Sequence, residues 1–166
     1  MLECAKLKLF REDFILRRKI FAKVFLFLAF AVIFPCICLA SQNDLGGLSP
    51  KDAFDYMKEN YGELILIDVA PTRWFQRETF TGALHIPEAE LDGSEKNDLY
   101  MKLPADKPIL LYCRMGITVP KVYDYLIEFR PDIKEIAYIA GAPMFKEYNS
   151  WLAAKTVDSS DEQVQK

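Results

Sequence analysis

Histidine occurs once in this 166-residue chain, at His85, and beyond residue 40 cysteine also occurs once, at Cys113. One imidazole and one thiol cannot fill the three or four positions of a zinc-type centre, so a His/Cys metal site is excluded. The other cysteines, Cys4, Cys36 and Cys38, lie in the amino-terminal segment, so a chain cut after residue 40 has no internal disulfide. Positive charge is scarce as well. The whole chain carries 21 Lys/Arg and 24 Asp/Glu, but residues after 40 hold 14 basic and 21 acidic groups, a net of −7. A nucleic-acid binder needs a basic footprint to displace counterions, and this body has none. A hydrophobic fraction of 51% with 27% charged residues excludes disordered and low-complexity classes. The length gives room for one folded domain and one site.

The basic residues missing from the body are concentrated at the start. Arg17, Arg18, Lys19 and Lys23 precede an uncharged apolar run, Val24 to Phe34, the n-region and h-region of an export signal. Eleven helical residues span about 16 Å, short of the roughly 30 Å of bilayer hydrocarbon. Extending the run to Ala40 gives 17 residues, the lower limit for a retained membrane anchor. Pro35 breaks the helix, and Cys38-Leu39-Ala40 places small residues where a signal peptidase accepts them. Residues 1–40 are therefore expected to be a signal peptide cleaved after Ala40, or a membrane anchor if uncleaved, with the mature protein in the periplasm. Residues 41–47, SQNDLGG, read as a polar linker.

From residue 48 to 152 the pattern alternates between strand and helix. Ser49-Pro50 opens a helix as N-cap and first-turn proline, with Ala53, Phe54, Met57 and Tyr61 at helical spacing and Gly62 at its end. Leu64 to Val69 and Pro108 to Tyr112 are continuous apolar runs, the mark of strands covered on both faces in a parallel sheet. Val119, Val122, Tyr123, Leu126 and Ile127 then resume helical spacing, Glu135 to Ile139 is a further strand, and Gly141 leads into a last helix. Shorter elements are expected around Leu84-His85-Ile86 and from Asn97 to Leu103, and residues 153–166 form a polar tail expected to fray. The fold class is α/β: a single domain with a mostly parallel central sheet and helices on both faces, binding ligands at the carboxyl ends of its strands.

Cys113 sits at such an end. A loop leaving a buried strand for a helix can turn its backbone N–H groups inward, and those donors favour a thiolate over a thiol. In Cys113-Arg114-Met115-Gly116-Ile117-Thr118, Arg114 adds fixed positive charge and Gly116 allows the backbone angles of a tight cradle. Thr118 is positioned as the cap of the following helix, with Pro120 in its first turn.

This six-residue segment resembles the active-site loop of the rhodaneses, the thiosulfate sulfurtransferase family, which begins with Cys, has Gly fourth and often ends in Thr or Arg. Leu66-Ile67-Asp68-Val69 is similar to the family's first strand, Phe75 stands where an aromatic is usual, Gly82-Ala83-Leu84-His85-Ile86-Pro87 resembles its Gly-Ala-x-x-Ile-Pro segment, and Gly141-Ala142 occupies the place of a Gly-Gly turn. Departures are Ala70 for the usual arginine after Asp-Val, Glu78-Thr79-Phe80 for Gly-His-Ile, and Met115 where thiosulfate-preferring members often carry a second cation.

The resemblance implies sulfur transfer by a Cys113 persulfide, from thiosulfate or a persulfide donor to cyanide, a thiol or a protein sulfur acceptor, with no metal or organic cofactor. Arg114, Met115, Gly116, Ile117 and Thr118 would bind the substrate, and Asp68 would support the site by local hydrogen bonding. His85 is assigned a structural role. Arg73 and Arg77, beside Trp74, read as a solvated helix face or a pocket rim. A noncatalytic sulfur carrier or binding module is the alternative. A cysteine phosphatase or arsenate reductase would need a Cys-x5-Arg loop, and the position for that arginine holds Val119.

Overall fold

The computed structural model describes the backbone of residues 43–164 and side-chain surroundings through residue 157. The expected export segment, residues 1–40, lies outside the described residues. The elements alternate as β1 (Asn43–Leu48), α1 (Pro50–Glu59), β2 (Ile65–Asp68), α2 (Thr72–Phe75), β3 (Leu84–His85), α3 (Gly93–Met101), β4 (Pro108–Tyr112), α4 (Val119–Phe129), β5 (Glu135–Ile139) and α5 (Phe145–Val164). The strands form one sheet in the order β1-β5-β4-β2-β3, every neighbouring pair parallel. The α/β class with a parallel central sheet stands as expected.

Side-chain alternation along the strands sorts the core into two halves. Ile67, Ile109, Leu111 and Ile136 face one side, packed with Tyr100 of α3 and Val119, Val122, Tyr123 and Leu126 of α4. Leu66, Leu110, Tyr112, Ala137 and Ile139 face the other, against Ala53 and Met57 of α1 and Phe145 and Tyr148 of α5. β4 is buried at every residue, because it lies inside the sheet with helices above and below. Burying such side chains supplies about 1.5–3 kcal/mol each.

Several boundaries differ from the sequence expectation, among them the end of α1, which stops at Glu59 instead of running through Tyr61 to Gly62. Residues 43–47, read as linker, belong to β1, whose register with β5 shifts between Asp44 and Gly46. Gly46 takes φ +67° there. An edge strand needs no apolar alternation when its main-chain bonds to β5 hold it. The helix expected from Asn97 begins at Gly93: Asp92 caps it, accepting from the N–H groups of Ser94 and Glu95, while Glu95 returns a bond to the Asp92 N–H. The tail expected to fray continues α5 as helix to Val164. α1 begins as expected, with Ser49 Oγ accepting from the Asp52 N–H at 3.2 Å.

Arg130 closes the far end of the domain. It is buried, donates to the carbonyls of Tyr100 and Leu103, and is held by Asp132 at 2.8 Å. The clamp fixes the end of α4 against the end of α3. Among the described residues, no helix is long and apolar enough to cross a membrane.

Candidate active site

The hydrophobic strand β4 delivers Cys113 to the carboxyl edge of the sheet, between the ends of β2 and β5. Its side chain retains 5% exposure and belongs to the α3/α4 half of the core. The chain then needs five residues to reach Val119, the start of α4. Gly116 makes that possible with φ +71°, and a Cβ there would fall 2.4 Å from the Gly141 nitrogen. The loop is therefore seated directly on the turn after β5, which positive φ and atomic crowding together reserve for glycine.

Among the described residues, the N–H groups of Arg114, Met115, Ile117 and Thr118 make no hydrogen bond, while Gly116 turns its N–H back toward the Cys113 carbonyl. The loop is exposed at Arg114, Met115 and Ile117, so these donors are open to water or to an anion at the strand end. None of them donates to Cys113 Sγ itself. Thr118 departs from its expected part: it has helical angles and makes no side-chain cap bond, because Pro120 leaves one fewer donor to cap. Met115 and Ile117 are 59% and 78% exposed, forming an apolar outer lip.

Arg114 lies over the ring of Trp74 at 4.1 Å, and the guanidinium groups of Arg73 and Arg77 approach the same ring at 5.4 and 5.6 Å. The structure thus brings Arg114 of the loop to Arg73 and Arg77, which share a separate segment of the sequence. Beside them runs a narrow cleft lined by Asp68, Ala70, Trp74, Glu78, Arg114 and Phe145. Larger hollows between α3 and α4 and beside α5 include no residue of the Cys113 loop; the loop's own chemistry, rather than cavity size, marks the site.

Beneath the loop lies a closed polar network. Asp68 Oδ1 accepts from the Ala70 N–H at 2.9 Å and Oδ2 from Thr79 Oγ1 at 2.9 Å. Thr79 Oγ1 meets the Tyr112 hydroxyl at 2.6 Å, and that hydroxyl accepts from the Phe80 N–H at 3.3 Å. Asp68 is 2% exposed. Burial pushes its carboxyl above the ordinary range, while the Ala70 N–H and Thr79 hydroxyl pull it back. Burial also raises the Tyr112 phenol, with the Asp68 charge adding to it. Sequence reading singled out Asp68 but missed Thr79 and Tyr112. Thr79 lay hidden in the departure Glu78-Thr79-Phe80, and Tyr112 looked like the last residue of an apolar strand.

His85 is separate from this chemistry. Its Nε2 pairs with the Ala70 carbonyl at 2.9 Å, and its ring stacks on Phe75 at 4.1 Å between centroids. Both contacts pin β3 to the segment after β2. Among the described residues, no cluster of His, Cys, Asp or Glu could hold a metal ion.

Fold and loop together define a class: parallel α/β domains carrying a cysteine on a glycine-containing turn between the central strand and a helix. A model of the rhodanese-like domain matches residues 51–142, more than half the chain, and the chain belongs to that family. The thiosulfate sulfurtransferase GlpE of Coxiella burnetii is 28% identical over 107 residues, covering 64% of this chain and 86% of that protein. Among solved structures, a protein from Staphylococcus saprophyticus aligns with TM-score 0.47 and 13% identity, covering 63% of this chain and 93% of its own. A rhodanese-related protein from Thermoplasma volcanium gives TM-score 0.44 and 19% identity over 57% of this chain and 84% of its own.

Proposed function

We propose that this protein is a sulfurtransferase that moves sulfane sulfur through a persulfide on Cys113. The observation carrying this reading is Cys113 at the end of β4, followed by a loop in which the N–H groups of Arg114, Met115, Ile117 and Thr118 make no hydrogen bond among the described residues. Membership of the rhodanese-like family and likeness to a protein named thiosulfate sulfurtransferase support the same chemistry.

In the first half-reaction the Cys113 thiolate attacks the outer sulfur of thiosulfate. An S–S bond forms at Sγ, the donor S–S bond breaks, and sulfite leaves with the electron pair. From a persulfide donor, a thiolate leaves instead. The cysteine now carries one additional sulfur, whose negative charge falls among the loop donors; such preorganised dipoles cost no reorganisation when charge arrives. In the second half, cyanide or a thiolate attacks that outer sulfur and Cys113 is regenerated as thiolate. No external oxidant or reductant is consumed, and ping-pong kinetics follow.

The 5% exposure left at Cys113 restricts attack to slim groups that project a terminal sulfur inward. Arg114 orients an anionic donor. Met115 and Ile117 bring no charge, so Arg114 is the one cation of the loop itself. The basic residues from Arg17 to Lys23 and the apolar run after them support export, so the proposed site of the reaction is the periplasm.

The test is direct. Purified protein is mixed with thiosulfate or a persulfide donor, and intact-mass spectrometry with peptide mapping locates the product. The expected result is one added sulfur atom on Cys113 and none at that position in Cys113→Ser. A wild-type Cys113 that takes up no sulfur from either donor excludes the assignment. Turnover with small acceptors separates an enzyme from a carrier that only hands its persulfide to a partner.

A further inference from the structure

The arginines around Trp74 touch its ring but engage no carboxylate by hydrogen bond or ion pair among the described residues. Arg73, Arg77 and Arg114 are exposed. Arg73 and Arg77 stand four residues apart on one continuous run of turns, since Gln76 bonds back to Thr72 and Arg77 to Trp74, a spacing at which like charges repel. Two carboxylates lie nearby. Glu78 lines the cleft with Arg114, and Glu90, which accepts from the N–H and hydroxyl of Thr72, also feels the charge of Arg73. The result is a cluster of three guanidinium groups on a body of net charge −7, adjoining the loop that bears the nucleophile.

A small dianion at Sγ would leave much of this surface unused. Arg73 and Arg77 come from the α2 segment rather than from the loop, and the 59% and 78% exposed side chains of Met115 and Ile117 offer it nothing. A polypeptide carrying carboxylates and an apolar side chain around a reactive cysteine would meet the cations and the apolar lip together. We propose that the Trp74 arginine cluster and the Met115/Ile117 lip dock an acidic segment of another protein whose cysteine is the sulfur acceptor. This inference rests on the sulfurtransferase reading and names the acceptor class for that site. The acceptor thiolate attacks the outer sulfur of the Cys113 persulfide; a new S–S bond forms on the acceptor, the bond to Sγ breaks, and the Cys113 thiolate departs.

The experiment has a binding arm and a transfer arm, both on the full chain. In the first, a fluorescein-labelled peptide with leucine and four glutamates around a serine, standing in for the reactive cysteine, is titrated by anisotropy against its glutamine counterpart. The glutamate peptide is expected to bind about tenfold more tightly at low salt, with the advantage falling as ionic strength shortens the Debye length. Arg73→Ala/Arg77→Ala removes the preference, whereas Trp74→Phe, which keeps a ring for Arg114, retains most of it. In the second arm, Cys113 is loaded from thiosulfate and discharged by the cysteine-containing peptides. The glutamate peptide should discharge it about tenfold faster, in line with its affinity.

Equal binding of the two peptides, or a glutamate preference that survives removal of both arginines, overturns the proposal while a loaded Cys113 leaves the sulfurtransferase reading intact. A Cys113 that never loads, with the glutamate preference present, removes the sulfurtransferase reading and leaves the docking surface. If the double substitution instead slows loading from thiosulfate more than it weakens peptide binding, the arginines belong to a small-anion site and the acceptor proposal falls.

Discussion

Neighbouring strands β2 and β4 end side by side in opposite chemical conditions. At the end of β2 every polar atom is engaged: the Phe80 N–H donates to Tyr112, Thr79 links the Tyr112 hydroxyl to Asp68, and Asp68 also receives the Ala70 N–H. Two residues past the end of β4 begins a loop in which the N–H groups of Arg114, Met115, Ile117 and Thr118 make no hydrogen bond among the described residues. Both strand ends are buried in the same sheet, but the loop after β4 comes out to solvent at Arg114, Met115 and Ile117, and its donors are open to a ligand beside the nucleophile. The closed network gives up freedom for rigidity, and the loop keeps its hydrogen-bonding capacity for a ligand.

Gly116→Ala should break the contrast most severely. Its Cβ would collide with the Gly141 backbone at 2.4 Å, in a left-handed conformation that alanine resists. The loop must lift off its seat and its donors move, and misplacement of about 1 Å costs about 100-fold in rate. Persulfide formation measured by mass after a short pulse should fall by that order, with the far-ultraviolet circular dichroism of the sheet preserved. A rate within a few-fold of wild type would show that the loop does not depend on its contact with Gly141. Tyr112→Phe tests the other member of the pair. Losing the hydroxyl strands the Phe80 N–H and breaks the link to Thr79, so urea unfolding should register a loss of about 1–3 kcal/mol. Sulfur transfer per folded molecule should stay at the wild-type rate. A rate loss without a stability loss would move Tyr112 from scaffold into chemistry.

The two strand ends were also unequally legible in sequence. β2, β4 and β5 could be read because a parallel strand covered on both faces is a continuous apolar run, and α4 because Val119, Val122, Tyr123 and Leu126 keep helical spacing and are all buried. β1 escaped because Asn43 to Gly47 is polar and glycine-containing, and only its pairing with β5 makes it a strand. α3 has almost no apolar stripe; its signal was the Asp92/Glu95 capping box, a local motif rather than a periodicity. The Cys113 loop was legible because residues adjacent in sequence make it. The Asp68-Thr79-Tyr112 network and the arginines around Trp74 each draw on segments far apart in the chain, and a single sequence contains no term for such meetings.

The smallest expected effect is the most specific test of the closed network. Thr79 donates its one proton to charged Asp68, so Tyr112 must donate to Thr79 while accepting from Phe80; the carboxylate sets the direction of the chain. Burial raises the Asp68 carboxyl above its value in the unfolded chain. Between those two values the folded protein holds a proton that the unfolded chain has released, so this group's contribution to stability is present at low pH and is lost as pH rises through the shifted pKa. Asp68→Asn removes the titration. Urea unfolding of both proteins from about pH 4 to about pH 7 should show the stability of wild type relative to the variant declining with pH. A relative stability that rises instead would mean that the charged carboxylate is favoured by its surroundings. The shape of the pH profile for sulfur transfer should be unchanged by the substitution, because Asp68 acts on the scaffold and does not share a proton with Cys113.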